Sequence, residues 1–184
     1  MEASGAGHAA VAAVLLARGA DPNKHKSANR DTALMRASQS GHLGCTQLLL
    51  DNGADPSRAR SDNGSTALMK AATKGYADVL LALLAAGADP AAAPEPGHWS
   101  PLMRACQSGQ TSCARILLRA GARPDQAKAD SRETALMFAT YGGHAAAVRL
   151  LLEAGAAPDH AKHTGDTAVV YVKFRQYFPL LWLF

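Results

Sequence analysis

The chain has 184 residues, 48% hydrophobic and 18% charged, which is enough to build a sizeable core and too apolar for a disordered chain. Aromatics make up only 5% while alanine, leucine and glycine dominate, so short helices broken by tight turns are expected in place of a β-sandwich, and the fold class reads as all-α. The net charge of +4 tolerates acidic partners without implying nucleic acid.

Three cysteines, Cys45, Cys106 and Cys113, are too few for a disulfide framework and contain no CxxC pair, so a reducing compartment, cytoplasm or nucleus, is expected. The N-terminus lacks a basic segment followed by an apolar run and does not read as a secretory signal. The longest apolar tract, Phe178 to Phe184, falls far short of the roughly 20 residues of a membrane-spanning helix.

Self-similarity organises the chain. TALMRA from Thr32, TALMKA from Thr66, SPLMRA from Ser100, TALMFA from Thr134 and TAVVYV from Thr167 recur with a period of 34 that shortens to 33 at the last step. A second column, Gly19, Gly53, Gly87, Gly121 and Gly155, is followed in each copy by Ala and then by Pro22, Pro56, Pro90, Pro124 or Pro158. A third, Gly7, Gly41, Gly75, Gly109 and Gly143, falls between them, so each copy reads as helix, turn, helix, turn. The expected divisions are an incomplete repeat over 1–30, repeats over 31–64, 65–98, 99–132 and 133–165, and an incomplete last repeat with an aromatic tail over 166–184.

Within a copy, Thr66 or its equivalent is expected to cap the first helix through a backbone N–H, with Pro101 well placed at the first helical position after Ser100. Gly75 ends that helix. A second helix near Ala77 to Ala85 carries Val79, Leu80, Leu83 and Leu84 on one face, and Gly87 supplies a left-handed cap. Pro90 and its equivalents then start an extended segment toward a hairpin, where Asn63-Gly64 favours a tight turn. No copy can bury its own apolar faces, so neighbours must stack into a solenoid.

The first copy starts at Met1 inside its first helix, the register of Met35, Met69, Met103 and Met137, without a hairpin or capping Thr. The sequence is then either a short form or a piece of a longer array, and the usual need for a polar capping unit favours the second. After Thr167 the glycine signals stop, and Tyr171, Phe174, Tyr177, Phe178, Trp182 and Phe184 crowd the end. The tail either folds back over the end of the core or anchors another chain, and the aggregation hazard of an exposed apolar tail favours folding back.

The order T-x-L-x-x-A, then G-H, an apolar pair and G-A-D resembles the ankyrin repeat over nearly the whole chain. Methionine stands where family members usually carry the histidine of T-P-L-H, so cohesion between repeats is expected to shift toward thioether packing. The Thr-to-Gly spacing stays at 21, which assigns the extra residue of the longer period to the hairpin. The resemblance implies a non-enzymatic protein-interaction scaffold that binds a partner segment on a concave groove lined by the first helices.

Read in columns, the first helices carry Arg36, Lys70, Arg104 and then Phe138, and the hairpins carry Lys26, Arg60, Lys128 and Lys162, interrupted by Pro94. A column of like charges is mildly self-repulsive, so an acidic or phosphorylated partner segment would relieve it; the alternative is a solvated charged face. The register before the capping residue reads Asp31, Ser65, Trp99, Glu133 and Asp166, and in the family it projects from the hairpin toward the partner. A tryptophan among polar equivalents suggests a binding hot spot, with Phe138 and Tyr141 at family groove positions beside it. Alternatively Trp99 packs on the prolines of its own hairpin, residues 91–97.

No phosphate loop, nucleophile elbow or His-Glu-x-x-His motif is present, so neither catalytic residues nor a cofactor are assigned. His160 and His163 lack further ligands nearby and are read as loop residues; the cysteines are read as small core residues, and His8, His42 and His144 as structural. The competing functions are an accessory ankyrin segment of a longer enzyme or channel, and an anionic-ligand binder for nucleic acid or lipid. If the tail covers the core, deleting residues 177–184 lowers the melting temperature, and an unchanged melt would count against that role.

Overall fold

The computed structural model describes residues 1–26, 30–93 and 99–168, with the backbone alone at Lys26; the aromatic tail and most of the 91–97 hairpin therefore lie outside the described residues. The all-α expectation holds, with ten helices among the described residues and one two-stranded ribbon. In chain order these are α1 (Glu2–Gly5), α2 (Ala9–Ala17), β1 (His25–Lys26), β2 (Asp31–Thr32), α3 (Ala33–Ser40), α4 (Leu43–Asp51), α5 (Ala67–Lys74) and α6 (Ala77–Ala85). They continue with α7 (Pro101–Gln107), α8 (Thr111–Arg119), α9 (Ala135–Gly142) and α10 (Ala145–Glu153). Two compact units divide the chain, Met1–Asp89 and Pro90–Phe184.

The helix starts follow from the capping residues. Thr32 and Thr66 sit in extended backbone and accept from Met35 N and Met69 N at 3.2 and 3.3 Å. Ser100 does the same for Met103 N at 3.3 Å, while Met103 Sδ accepts from Ser100 N at 3.5 Å, so the methionine closes a reciprocal cap that elsewhere uses Glu or Gln. Thr134 departs from the expectation. It keeps the extended backbone of an N-cap but makes no side-chain capping bond.

Gly41, Gly75 and Gly143 end α3, α5 and α9 in the left-handed conformation, which costs glycine nothing. Gly41 meets a second demand, since a Cβ there would lie 2.7 Å from Tyr76 Cε1; at Gly109 it would lie 2.6 Å from His144 Nδ1. These rings start the second helix of the following pair. His42 Nε2 lies 3.1 Å from Gly5 O, and His144 Nε2 3.1 Å from Gln107 O, so these histidines tie successive helix pairs together as structural residues.

In the first unit α1, α3 and α5 pack in one row and α2, α4 and α6 in another; in the second, α7 packs on α9 and α8 on α10. Leu34, Met35, Leu68, Leu102, Met103, Leu136 and Met137 are fully buried, so the methionines do serve as core packing. Cys45, Cys106 and Cys113 are buried too, and burial pushes the Cys106 thiol up to about 12, consistent with an inert core residue. Val11 is the exception in the Cys45, Val79 and Cys113 register, 51% exposed against 1% or less, because α2 has a second-row helix only on its α4 side among the described residues.

The hairpins differ from the tight Asn-Gly turn expected. Arg60 N donates to Ser65 O at 3.0 Å and Gly64 N to Arg60 O at 3.0 Å, closing a four-residue loop in which Gly64 has positive φ. The 128–133 hairpin repeats both bonds, with Lys128 N donating to Glu133 O and Arg132 N to Lys128 O. At the last hairpin Gly165 N reaches Lys162 O instead, one residue shorter, which accounts for the step from 34 to 33. Arg132 holds φ 60° in the register of Gly64, a conformation that disfavours a side chain.

Replacing Arg132 with Gly is therefore expected to stabilise the fold by about 1 kcal/mol, and replacing Gly64 with Ala to destabilise it by a similar amount. Opposite shifts of the urea midpoint test both; two unmoved midpoints would refute strain at this corner.

Candidate partner-binding site

In the first unit the basic residues converge on one acid. Asp31, buried at the start of β2, receives Arg36 Nε at 3.1 Å, Arg60 Nη1 at 3.8 Å and Lys70 Nζ at 3.8 Å. Arg60 also forks onto Asp62 with bonds of 2.9 and 2.6 Å, and Lys70 Nζ donates to Gln39 Oε1 at 2.9 Å. Burial draws the Lys70 ammonium below its ordinary value, with Asp31 pulling the other way. The hydrogen bond to Asp62 raises Arg60 and lowers Asp62. In the first unit the chain itself supplies a carboxylate to Arg36 and Lys70 of this column. Lys26 lies in β1, paired with Asp31 across the ribbon, and its side chain is outside the described residues.

In the second unit the register of Asp31 holds Trp99. Its half-buried indole stacks on Phe138 with centroids 4.2 Å apart and planes tilted by 32°. The Arg104 guanidinium carbon lies 4.1 Å from the indole centroid and Lys128 Nζ 5.3 Å from it, both within cation–π range. Arg104 Nη1 donates to Gln107 Oε1 at 3.4 Å, and burial lowers the guanidinium pKa without threatening its charge. Lys128 lies 3.4 Å from Asp130 and 4.0 Å from Glu133, whose carboxylate accepts from Ser131 Oγ at 2.9 Å.

Beside this stack is a recess of about 400 Å³ lined by Trp99, Gln107, Glu133, Met137, Phe138, Tyr141 and Lys162. Tyr141 is 57% exposed at its mouth. Phe138, expected at a groove position, is 9% exposed beneath Trp99 and forms the floor. The packing of Trp99 on the prolines Pro94 and Pro96 involves residues outside the description.

Of the residues singled out in the sequence, Trp99, Arg104, Lys128, Phe138 and Tyr141 come together in one unit and Arg36, Arg60 and Lys70 in the other. Asp31, Glu133 and Gln107 were not singled out as site residues, although the register relation of Asp31 to Trp99 was visible. Among the described residues no group of three His, Cys, Asp or Glu converges to hold a metal ion, and no helix is long and apolar enough to cross a membrane.

The family profile for ankyrin repeats in three copies matches residues 1–94 and again 92–162. The chain belongs to the ankyrin repeat family. Among solved structures it is similar to the ankyrin repeat domain of human ASB11, with 29% identity and a TM-score of 0.88 over 99% of this chain and 80% of that one. No curated protein sequence matches it significantly. Ankyrin repeats generally mediate protein–protein interactions and are typically non-enzymatic modules.

Because Phe138 is the floor and Trp99 the half-exposed cover, Phe138→Ala is expected to cost about 3 kcal/mol and Trp99→Ala distinctly less. Chemical denaturation of the two variants checks this, and a larger loss at Trp99 would make its role primarily structural.

Proposed function

We propose that this chain is a protein-interaction scaffold that grips an acidic segment of a partner beside Trp99, Arg104 and Lys128, with Tyr141 at the mouth of the recess. The single observation that carries this reading is the stack itself: an aromatic platform with two cations held over it. A guanidinium lying on an indole is positioned in advance, so its forked donors meet a carboxylate or phosphate at a reduced entropic cost. Tryptophan and arginine are also the residues most often found to dominate binding energy at interfaces. The three buried, unbridged cysteines favour a working location inside the cell.

The test is crosslinked affinity capture from cell extract with the full chain and its Trp99→Ala, Arg104→Glu and Arg36→Glu variants, each with its melting curve. Partners lost with the first two variants, at melts close to the parent, and retained by the third are expected. For a purified partner the loss should be about tenfold or more in affinity and should weaken with added salt. Equal capture by all four proteins would overturn the assignment.

A further inference from the structure

The clusters of the two units are built at the same four repeat positions. Asp31, Arg36, Arg60 and Lys70 are each followed 68 residues later, two periods on, by Trp99, Arg104, Lys128 and Phe138. In both units the residue before the capping position stands at the centre, a cation reaches it from the first turn of the same helix, and another reaches it from the next hairpin. The fourth member comes from the next first helix. The central chemistry changes from a carboxylate to an indole, and the fourth position changes from Lys70 to Phe138.

The Asp31 cluster shows what three such cations accept. One carboxylate places Oδ2 3.1 Å from Arg36 and Oδ1 3.8 Å from both Arg60 and Lys70, while its residue remains 5% exposed. That arrangement has the form of a ligand-binding site for an acidic group, with the ligand tethered to the receptor. Arg36 retains 40% side-chain exposure, so the cluster is open to solvent on one side. Without Asp31, the three cations would lose the carboxylate they share, Asp62 would remain on the far branch of Arg60, and their mutual repulsion would favour uptake of an anion.

We propose that Asp31 is a built-in occupant of a carboxylate socket formed by Arg36, Arg60 and Lys70, and that it closes the first unit to acidic ligands. The socket is independent of the second-unit reading, but its consequence rests on that reading: acidic partners are directed to Arg104 and Lys128, where the central position is an indole.

The experiment uses the full chain and a fluorescently labelled hexaglutamate peptide, followed by anisotropy at low salt. Asp31→Asn and Asp31→Ser each remove the charge, and serine already stands in this register at Ser65. Both variants are expected to bind the peptide about tenfold more tightly than the parent or with one added site. Adding Arg36→Glu should abolish that gain, whereas Arg104→Glu should leave it intact. Two folded Asp31 variants, verified by circular dichroism, that gain no binding overturn the proposal whatever the parent does. A parent that ignores the peptide while Asp31→Asn takes it up supports the socket and refutes the acidic-partner reading of the second unit. A gain abolished by Arg104→Glu and insensitive to Arg36→Glu also overturns the proposal.

Discussion

A helix of eight or nine residues with apolar side chains on more than one side cannot be stable alone, and every helix pair in this chain faces that constraint. Leu68, Met69 and Ala71 on α5, with Val79, Leu80 and Leu83 on α6, are buried, and within the first unit α3 and α4 pack against these two helices. The exposure of Val11, Val14 and Leu15 on α2 shows the other side of the same rule. On α2, whose second-row neighbour among the described residues is α4 alone, the apolar face that later helices bury is left facing solvent. Cohesion is therefore local, and each interface is formed by the pairs that share it.

That locality separates function from fold. The residue before each capping position lies outside the helix core, so the sequence there can change from Asp31 to Trp99 while Leu34 and Leu102 remain equally buried. The surrounding cations are held in comparable places by different forces. A carboxylate attracts them by charge, which salt screens, whereas an indole face attracts them through its quadrupole and covers apolar surface as well. The first arrangement is locally closed; the second leaves its Arg104 donors shared with a neutral amide, Gln107.

Most of the architecture was legible because periodicity constrains it directly. The helix pairs, the glycine caps and the extra hairpin residue follow from spacings that a repeating backbone must respect. The turn geometry was less legible, since Asn63-Gly64 fits a two-residue turn equally well and the longer closure depends on backbone bonds from Arg60. The missing cap at Thr134 has no sequence signature. For the site, columns of like residues revealed the cations but not what lies between them. Asp31 meets Lys70 across 39 positions of chain, and the meeting depends on side-chain reach toward a common point, which register alone does not specify. The depth of Phe138 was not legible, because its burial depends on the stack with the neighbouring indole.

The close seating of Tyr76 on Gly41 and of His144 on Gly109 has a mechanical side. Aliphatic cores tolerate small changes in separation because methyl groups and thioethers slip past one another. A flat ring resting on a backbone with no Cβ has no such latitude, and at His144 a hydrogen bond to the Gln107 carbonyl fixes its orientation as well. Along this edge the interval between helix pairs is therefore gauged by the thickness of a ring, while the methionine-rich interior remains the compliant side. At Gly41 and Gly109 a flat, incompressible spacer thus stands beside a filling of flexible thioethers.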